Sequence, residues 1–195
     1  MTWLLCDYGQ VLSLPQPEAD RDALVAASGL TAPEFWQGYW AHRAAYDQAD
    51  VSSLEYWTQA LGRTVDEPLR QRLSALDMAS WLHPNDQTVA AAGRAAERGY
   101  RLAILSNAPI ELAEALAEVP WLARFEVRLF SCRLRLSKPD PAIYRAAIER
   151  LAAAPEDIVF LDDRADNVAA AAALGIRAHL FTEAEQIDDL PPITG

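Results

Sequence analysis

In this 195-residue sequence, polar residues of chemical interest stand directly after short apolar runs. Asp7 follows Trp3–Cys6, Ser106-Asn107 follows Leu102–Leu105, and Asp162-Asp163 follows Ile158–Leu161. Lys138 lies in a loop ahead of a helical pattern. Three converging carboxylates with no cation between them repel one another and raise at least one pKa. A divalent ion resolves that conflict, and hard oxygen donors favour Mg²⁺ over zinc. With Mg²⁺ held by Asp7, Asp162 and Asp163, and with Lys138 nearby, a phosphoryl group can be neutralised and Asp7 can approach it as a nucleophile. Attack would give an aspartyl-phosphate that water hydrolyses. Ser106 and neighbouring backbone amides can hold phosphoryl oxygens, while Asn107 can bind or orient the groups around them. Taken singly, each signal is ordinary turn or cap chemistry; their shared position at one end of apolar runs is what points to a site.

Such a site needs a scaffold that gathers those run ends. Five runs have the length and composition of buried parallel strands: Trp3–Cys6, Leu102–Leu105, Val127–Ser131, Ile158–Leu161 and Ala178–Phe181. Helical patterns separate most of them, over 85–98, 109–117, from about 140, and 165–174, the last stopped by Gly175. Strands alternating with helices predict an α/β fold, a Rossmann-like parallel sheet with helices on both faces. In an open parallel sheet, ligands bind beyond the carboxyl ends of the strands, where the polar residues stand.

Residues 15–83 break this rhythm. They contain no convincing strand, three capping-box patterns (Thr31/Glu34, Ser52/Glu55 and Thr64/Glu67), and six of the aromatics: Trp36, Tyr39, Trp40, Tyr46, Tyr56 and Trp57. The expected organisation is a core of 1–14 and 84–195 with a helical cap inserted at 15–83. Most of those aromatics would pack the insertion's own core, and one or two would face a substrate. Arg43 lies among them and reads as a solvated arginine. The acidic tail after Phe181, with Pro191-Pro192, is expected to fray.

Composition narrows the function. A net charge of −11 argues against binding a nucleic-acid backbone, and an anionic substrate would need local positive charge. Lys138 is the only lysine among 17 cationic residues, which hints that position 138 needs a compact ammonium. No apolar run approaches a membrane span. The start, Met-Thr-Trp-Leu-Leu-Cys-Asp, has no basic region typical of a signal, so the expectation is cytoplasmic. Cys6 and Cys132 read as buried free thiols. His42, His83 and His179 are too scattered to form a site. Arg128, Arg133 and Arg135 suit a charged edge near the third strand.

Four segments resemble the haloacid dehalogenase-like hydrolases with a helical cap after the first strand. They are Leu-Leu-Cys-Asp7-Tyr-Gly-Gln-Val-Leu, Ile-Leu-Ser106-Asn107, Ser-Lys138-Pro-Asp-Pro-Ala-Ile-Tyr, and Val-Phe-Leu-Asp162-Asp163-Arg-Ala-Asp-Asn167. The resemblance implies that Asp7 is the nucleophile and that Ser106 binds phosphate. It also implies that Lys138 bridges phosphate and nucleophile, and that Asp163 binds Mg²⁺ directly. Asp162 would act through Lys138 or a metal-bound water, Asn167 would support the metal, and the insertion would be a mobile cap. Phosphatases of the family usually carry an acid–base aspartate where this chain has Gly9. The Gly9 carbonyl can still serve the metal, but the proton donor is missing. The variant is similar to that of sugar-phosphate phosphatases. The expected activity is Mg²⁺-dependent hydrolysis of a small phosphorylated metabolite. A 2-haloacid dehalogenase, which works without metal, and a non-catalytic phosphate-binding module are the alternatives.

Overall fold

The computed structural model describes residues 1–193. Its centre is a five-stranded, wholly parallel sheet in the order β3-β2-β1-β4-β5, formed by β1 (Trp3–Cys6), β2 (Arg101–Ser106), β3 (Val127–Phe130), β4 (Ile158–Asp162) and β5 (Arg177–Leu180). All five apolar runs are strands, with ends displaced by no more than one residue from the sequence reading. Alternate residues of the central strands feed two cores. Leu4, Cys6, Leu102, Ile104, Val159 and Leu161 pack on one face, and Trp3, Leu5, Ala103, Leu105, Ile158 and Phe160 on the other.

The helices in chain order are α1 (Glu18–Ser28), α2 (Ala32–Asp47), α3 (Ser53–Leu61), α4 (Glu67–Trp81), α5 (Asp86–Glu97), α6 (Ile110–Ala117), α7 (Ser131–Leu134), α8 (Pro141–Leu151), α9 (Ala165–Ala172) and α10 (Glu185–Asp188). None of them is long and apolar enough to cross a membrane. Helices α1–α4 contain no strand and enclose their own apolar cluster of Leu24, Phe35, Tyr39, Tyr46, Tyr56, Trp57, Ala60, Leu61, Val65 and Leu73. The chain leaves the sheet and returns to it side by side. Leu14 N–H donates to the His83 carbonyl at 2.8 Å, and Asn85 N–H to that of Leu12 at 2.9 Å.

Capping follows the sequence at Thr31 and Ser52, where both halves of each capping box form, and Gly62 ends α3 in the left-handed conformation. The third pattern is corrected. Asp66, not Thr64, caps α4, its carboxylate accepting from Leu69 N–H at 3.0 Å, because the helix starts later than the spacing suggested. The tail is also corrected. Ile187 is fully buried, Arg94 pairs with Asp188 at 2.6 Å, and Tyr100 donates to the Pro191 carbonyl at 2.8 Å, so the acidic segment docks on α5 through complementary arginines. Gly195 and Thr194, the end of that tail, lie outside the described residues. Both cysteines are buried and free, Cys6 in β1 and Cys132 in α7. β3 is an edge strand, as its arginines suggested.

Candidate active site

β1 is the central strand. The chain passes from β1 outward to β2 and β3, then crosses back to β4 on the other side. The crevice above β1 and β4 is therefore the point where strand order reverses, the place for a ligand in such sheets. Asp7 stands there. Its N–H donates to the Leu161 carbonyl at 2.9 Å, and its carboxylate Oδ1 accepts from Tyr8 N–H at 2.7 Å. A distorted turn over Tyr8–Leu12 follows, with Gln10 in the left-handed region at φ 58°. Gly9 in that turn has φ −63°, and a Cβ added to it would meet the Trp81 ring at 3.6 Å, an ordinary contact. Neither backbone nor space requires glycine at position 9.

Lys138 reaches this point from the loop before α8, buried to 1 % exposure of its side chain. Its Nζ lies 2.8 Å from Asp7 Oδ1 and 2.6 Å from Asp162 Oδ2. Asn107 secures the loop, donating through Nδ2 to the Lys138 carbonyl and accepting at Oδ1 from the Lys138 N–H, both at 2.9 Å. The Asn107 side chain is thus committed to Lys138, and any contact from position 107 to a phosphate falls to its main chain. Asp162 is fully buried and accepts further bonds from Arg164 N–H at 2.9 Å and from Asn167 Nδ2 at 2.9 and 3.1 Å. Ser106, Asn107 and Asp163 line the same cavity of about 390 Å³ as Asp7, Gly9, Lys138 and Asn167.

The carboxylates of Asp7, Asp162 and Asp163 each bring one oxygen within 4.8 Å of the others. One ammonium faces three carboxylates. Burial pushes the Asp7 carboxyl up to about 6; Lys138 opposes the rise and Asp162 adds to it. Asp163 is raised by burial and by Asp162. Burial pulls the Lys138 ammonium down, but Asp7 and Asp162 outweigh it, and its pKa stands above the usual lysine value. This all-oxygen set with excess negative charge fits a hard divalent cation such as Mg²⁺. Beside it the buried Asn167 Oδ1 has no hydrogen-bond partner among the described residues, a free acceptor in a metal's surroundings. Lys138, Arg164 and Asn167 already occupy both Asp162 oxygens, whereas Tyr8 and Lys138 both meet Asp7 at Oδ1.

The sequence reading missed Gln10, in the turn after β1, and Ala44, Asp47 and Trp81 of the helical layer, which line the cavity with Trp40 and Arg43. The reading of Arg43 as solvated is corrected. It is 6 % exposed, with Nε 2.6 Å from Asp47 Oδ1 and Nη1 2.9 Å from Asp77 Oδ2, and it also touches the Tyr39 hydroxyl. The i,i+4 spacing of Arg43 and Asp47 carried the signal for half of this cluster. Of the six aromatics, Tyr39, Tyr46, Tyr56 and Trp57 are buried, Trp36 packs against them, and Trp40 is 55 % exposed at the cavity. His83 pairs with Asp20, away from the cavity.

The haloacid dehalogenase-like hydrolase model matches residues 10–175. The chain is 28 % identical to phosphatase MT3486 of Mycobacterium tuberculosis over 189 residues, 94 % of this chain and 81 % of that protein. It spans a quarter or less of the length of several other curated relatives that it matches. Its fold is similar to that of a haloacid-dehalogenase-family enzyme from Bacteroides thetaiotaomicron crystallised with magnesium and inorganic phosphate, with TM-score 0.73, 18 % identity, and coverage of 92 % of this chain and 93 % of that one. It is also similar to the L-2-haloacid dehalogenase of Xanthobacter autotrophicus with chloropropionic acid covalently bound, with TM-score 0.67, 20 % identity, and coverage of 91 % and 76 %.

Proposed function

The chain belongs to the haloacid dehalogenase-like hydrolases, and on that premise we propose that it is a Mg²⁺-dependent phosphatase of a small phosphorylated metabolite, with Asp7 as the nucleophile. The observation that carries this reading is the lysine bridge. Lys138 Nζ joins Asp7 to Asp162 while the Asp163 carboxylate lies beside them, an arrangement suited to a dianionic phosphoryl group. Asp7 would attack phosphorus, forming an aspartyl-phosphate and releasing the alcohol; water would then attack phosphorus and regenerate Asp7. Lys138 holds the Asp7 carboxylate in place and neutralises phosphoryl charge, and Asp162 and Asn167 fix Lys138. Ser106 and the main-chain amides after β2 would hold the phosphoryl oxygens. Asp7, the Gly9 carbonyl and Asp163 would hold Mg²⁺, which when bound supplies Lewis-acid charge stabilisation.

The layer of α1–α4, within 15–83, is proposed to be the mobile cap, hinged where Leu14 and Asn85 cross between the two parts. A cavity of about 390 Å³ with Trp40 and Trp81 on its wall suits a small organic group, a sugar phosphate among them.

One observation favours a 2-haloacid dehalogenase, namely Gly9 in place of an acid. Displacing halide from carbon leaves the Asp163 carboxylate and the surplus negative charge unused, and the phosphatase reading accounts for both. The test is hydrolysis of a phosphate-ester panel with and without Mg²⁺, alongside halide release from 2-haloacids. Phosphate release requiring Mg²⁺ and Asp7 is the expected result. Metal-independent halide release, or neither activity, would replace this reading with the dehalogenase or with a binding module.

A further inference from the structure

Helix α2 ends beside the reaction centre on a carboxylate. An aspartate in the last turn of a helix faces the negative end of the helix dipole, and α2 has no basic residue there to offset it. Asp47 is nonetheless buried, 8 % exposed, and it lines the cavity that holds Asp7, Gly9, Ser106 and Lys138. It is held firmly. Ser131 Oγ donates to the Asp47 carbonyl at 2.5 Å and accepts from Ala108 N–H at 2.9 Å, tying the end of α2 to the loop after β2. Tyr46 donates to Glu111 at 2.9 Å one residue earlier, and Arg135 grips Asp50 at 2.8 Å just beyond. Arg43 fixes one carboxylate oxygen, Oδ1, and among the described residues Oδ2 has no hydrogen-bond partner.

We propose that Asp47 is the acid–base residue of this site, doing from the helical layer what position 9 cannot do from the strand. The inference rests on the phosphatase reading. As Asp7 bonds to phosphorus and the bond to the leaving oxygen breaks, the proton on Asp47 passes to that oxygen and the alcohol departs. When water attacks the aspartyl-phosphate, Asp47 takes the water's proton, the bond from Asp7 to phosphorus breaks, and inorganic phosphate leaves with both carboxyl groups restored.

The protonation behaviour agrees with that role. Burial pushes the Asp47 carboxyl up to about 7, with Arg43 opposing the rise and Asp77 and Asp7 adding to it. Arg43 on its own helix touches it, and the charged or titratable groups whose fields reach it are Tyr56 of α3, Asp77 of α4, Asp7 after β1 and Cys132 of α7. A carboxyl with such neighbours is half protonated near neutrality, the condition for giving and taking a proton in one cycle.

The test compares wild type and Asp47→Asn, with Mg²⁺, on an alkyl phosphate and on p-nitrophenyl phosphate, whose leaving group needs no proton. The expected loss is about 10²–10⁴-fold on the alkyl ester and much smaller on the aryl ester. Equal losses on both, or none on the alkyl ester, would overturn the proposal. If those outcomes appear while Asp7→Asn is inactive, only the role of Asp47 fails. If wild type releases phosphate from neither ester, the phosphatase reading falls and the proposal with it. Carboxyl carbon NMR of the metal-free protein is a readout independent of turnover: Asp47 should titrate near neutrality, and titration near the ordinary aspartate value would overturn its role.

Discussion

The side-chain amide of Asn107 clamps the main chain of Lys138, donating to its carbonyl and accepting from its N–H, each at 2.9 Å. Two loops that leave different strands are thereby locked in one register, and the ammonium arrives between Asp7 and Asp162. Removing the clamp should let the lysine drift by an amount that catalysis feels. Asn107→Ala is expected to lower kcat by about 10–100-fold with little change in KM, and Asn107→Asp, which keeps only the acceptor, should fall between. Steady-state kinetics check this; a pure KM effect would mean that the side chain contacts substrate instead.

Lys138 also carries a structural burden. Lys138→Met leaves Asp7 and Asp162 buried beside Asp163 with no cation, and breaking a buried ion pair in this way costs about 3–5 kcal/mol. Denaturant unfolding without metal should show that loss. Lys138→Arg is expected to fail in activity as well, since a planar fork does not fit where one small ammonium meets two carboxylates.

Much of this arrangement was legible in the sequence. The apolar runs end within a residue of the strand ends, so Asp7, Ser106 and Asp162 were placed at the carboxyl end of the sheet before any contact was known. The lone lysine marked its own importance. Less legible was anything that depends on packing between separate segments. Arg43 looked solvated because its partner Asp77 is 34 positions away, and Asp47 looked like any helix-end residue because its place in the cavity depends on the contact of the α2 end with Ser131, 84 positions away. Thr64 and Asp66 both suit an N-cap, and the choice between them depends on where α4 begins. The tail docks through Arg94 and Arg98, contacts roughly 90 residues apart that no local pattern encodes.

Position 9 can be restored. The Gly9 backbone suits any residue and a Cβ there meets only the edge of Trp81 within 4 Å, so Gly9→Asp should fold. In the Asp47→Asn background it is expected to recover at least tenfold of the lost alkyl-phosphatase rate by returning a proton donor to the strand side. Parallel melting curves and rate measurements check both halves.

The Asp47 carboxyl also leaves a mark on stability. Its pKa is raised in the folded protein, to about 7 from an ordinary 3.8, so the folded state binds the proton more tightly than the unfolded state. Its stabilising contribution is complete at low pH and is lost as pH rises from about 4 through 7. Asp47→Asn should therefore gain stability over wild type as pH increases across that window. Thermal melts of the two proteins from pH 4 to 8 check this, and parallel curves would contradict it.

The most direct test of Asp7 as a phosphoryl acceptor is where the oxygen of water goes. Turnover of a phosphate ester with Mg²⁺ in ¹⁸O-labelled water, followed by mass spectrometry of the phosphate and of the peptide containing Asp7, distinguishes attack at phosphorus from attack at a carboxyl ester. The expected result is ¹⁸O in the released phosphate and none in Asp7, with no turnover by Asp7→Asn. Label in the Asp7 carboxylate, or phosphate release that persists in Asp7→Asn, would contradict it.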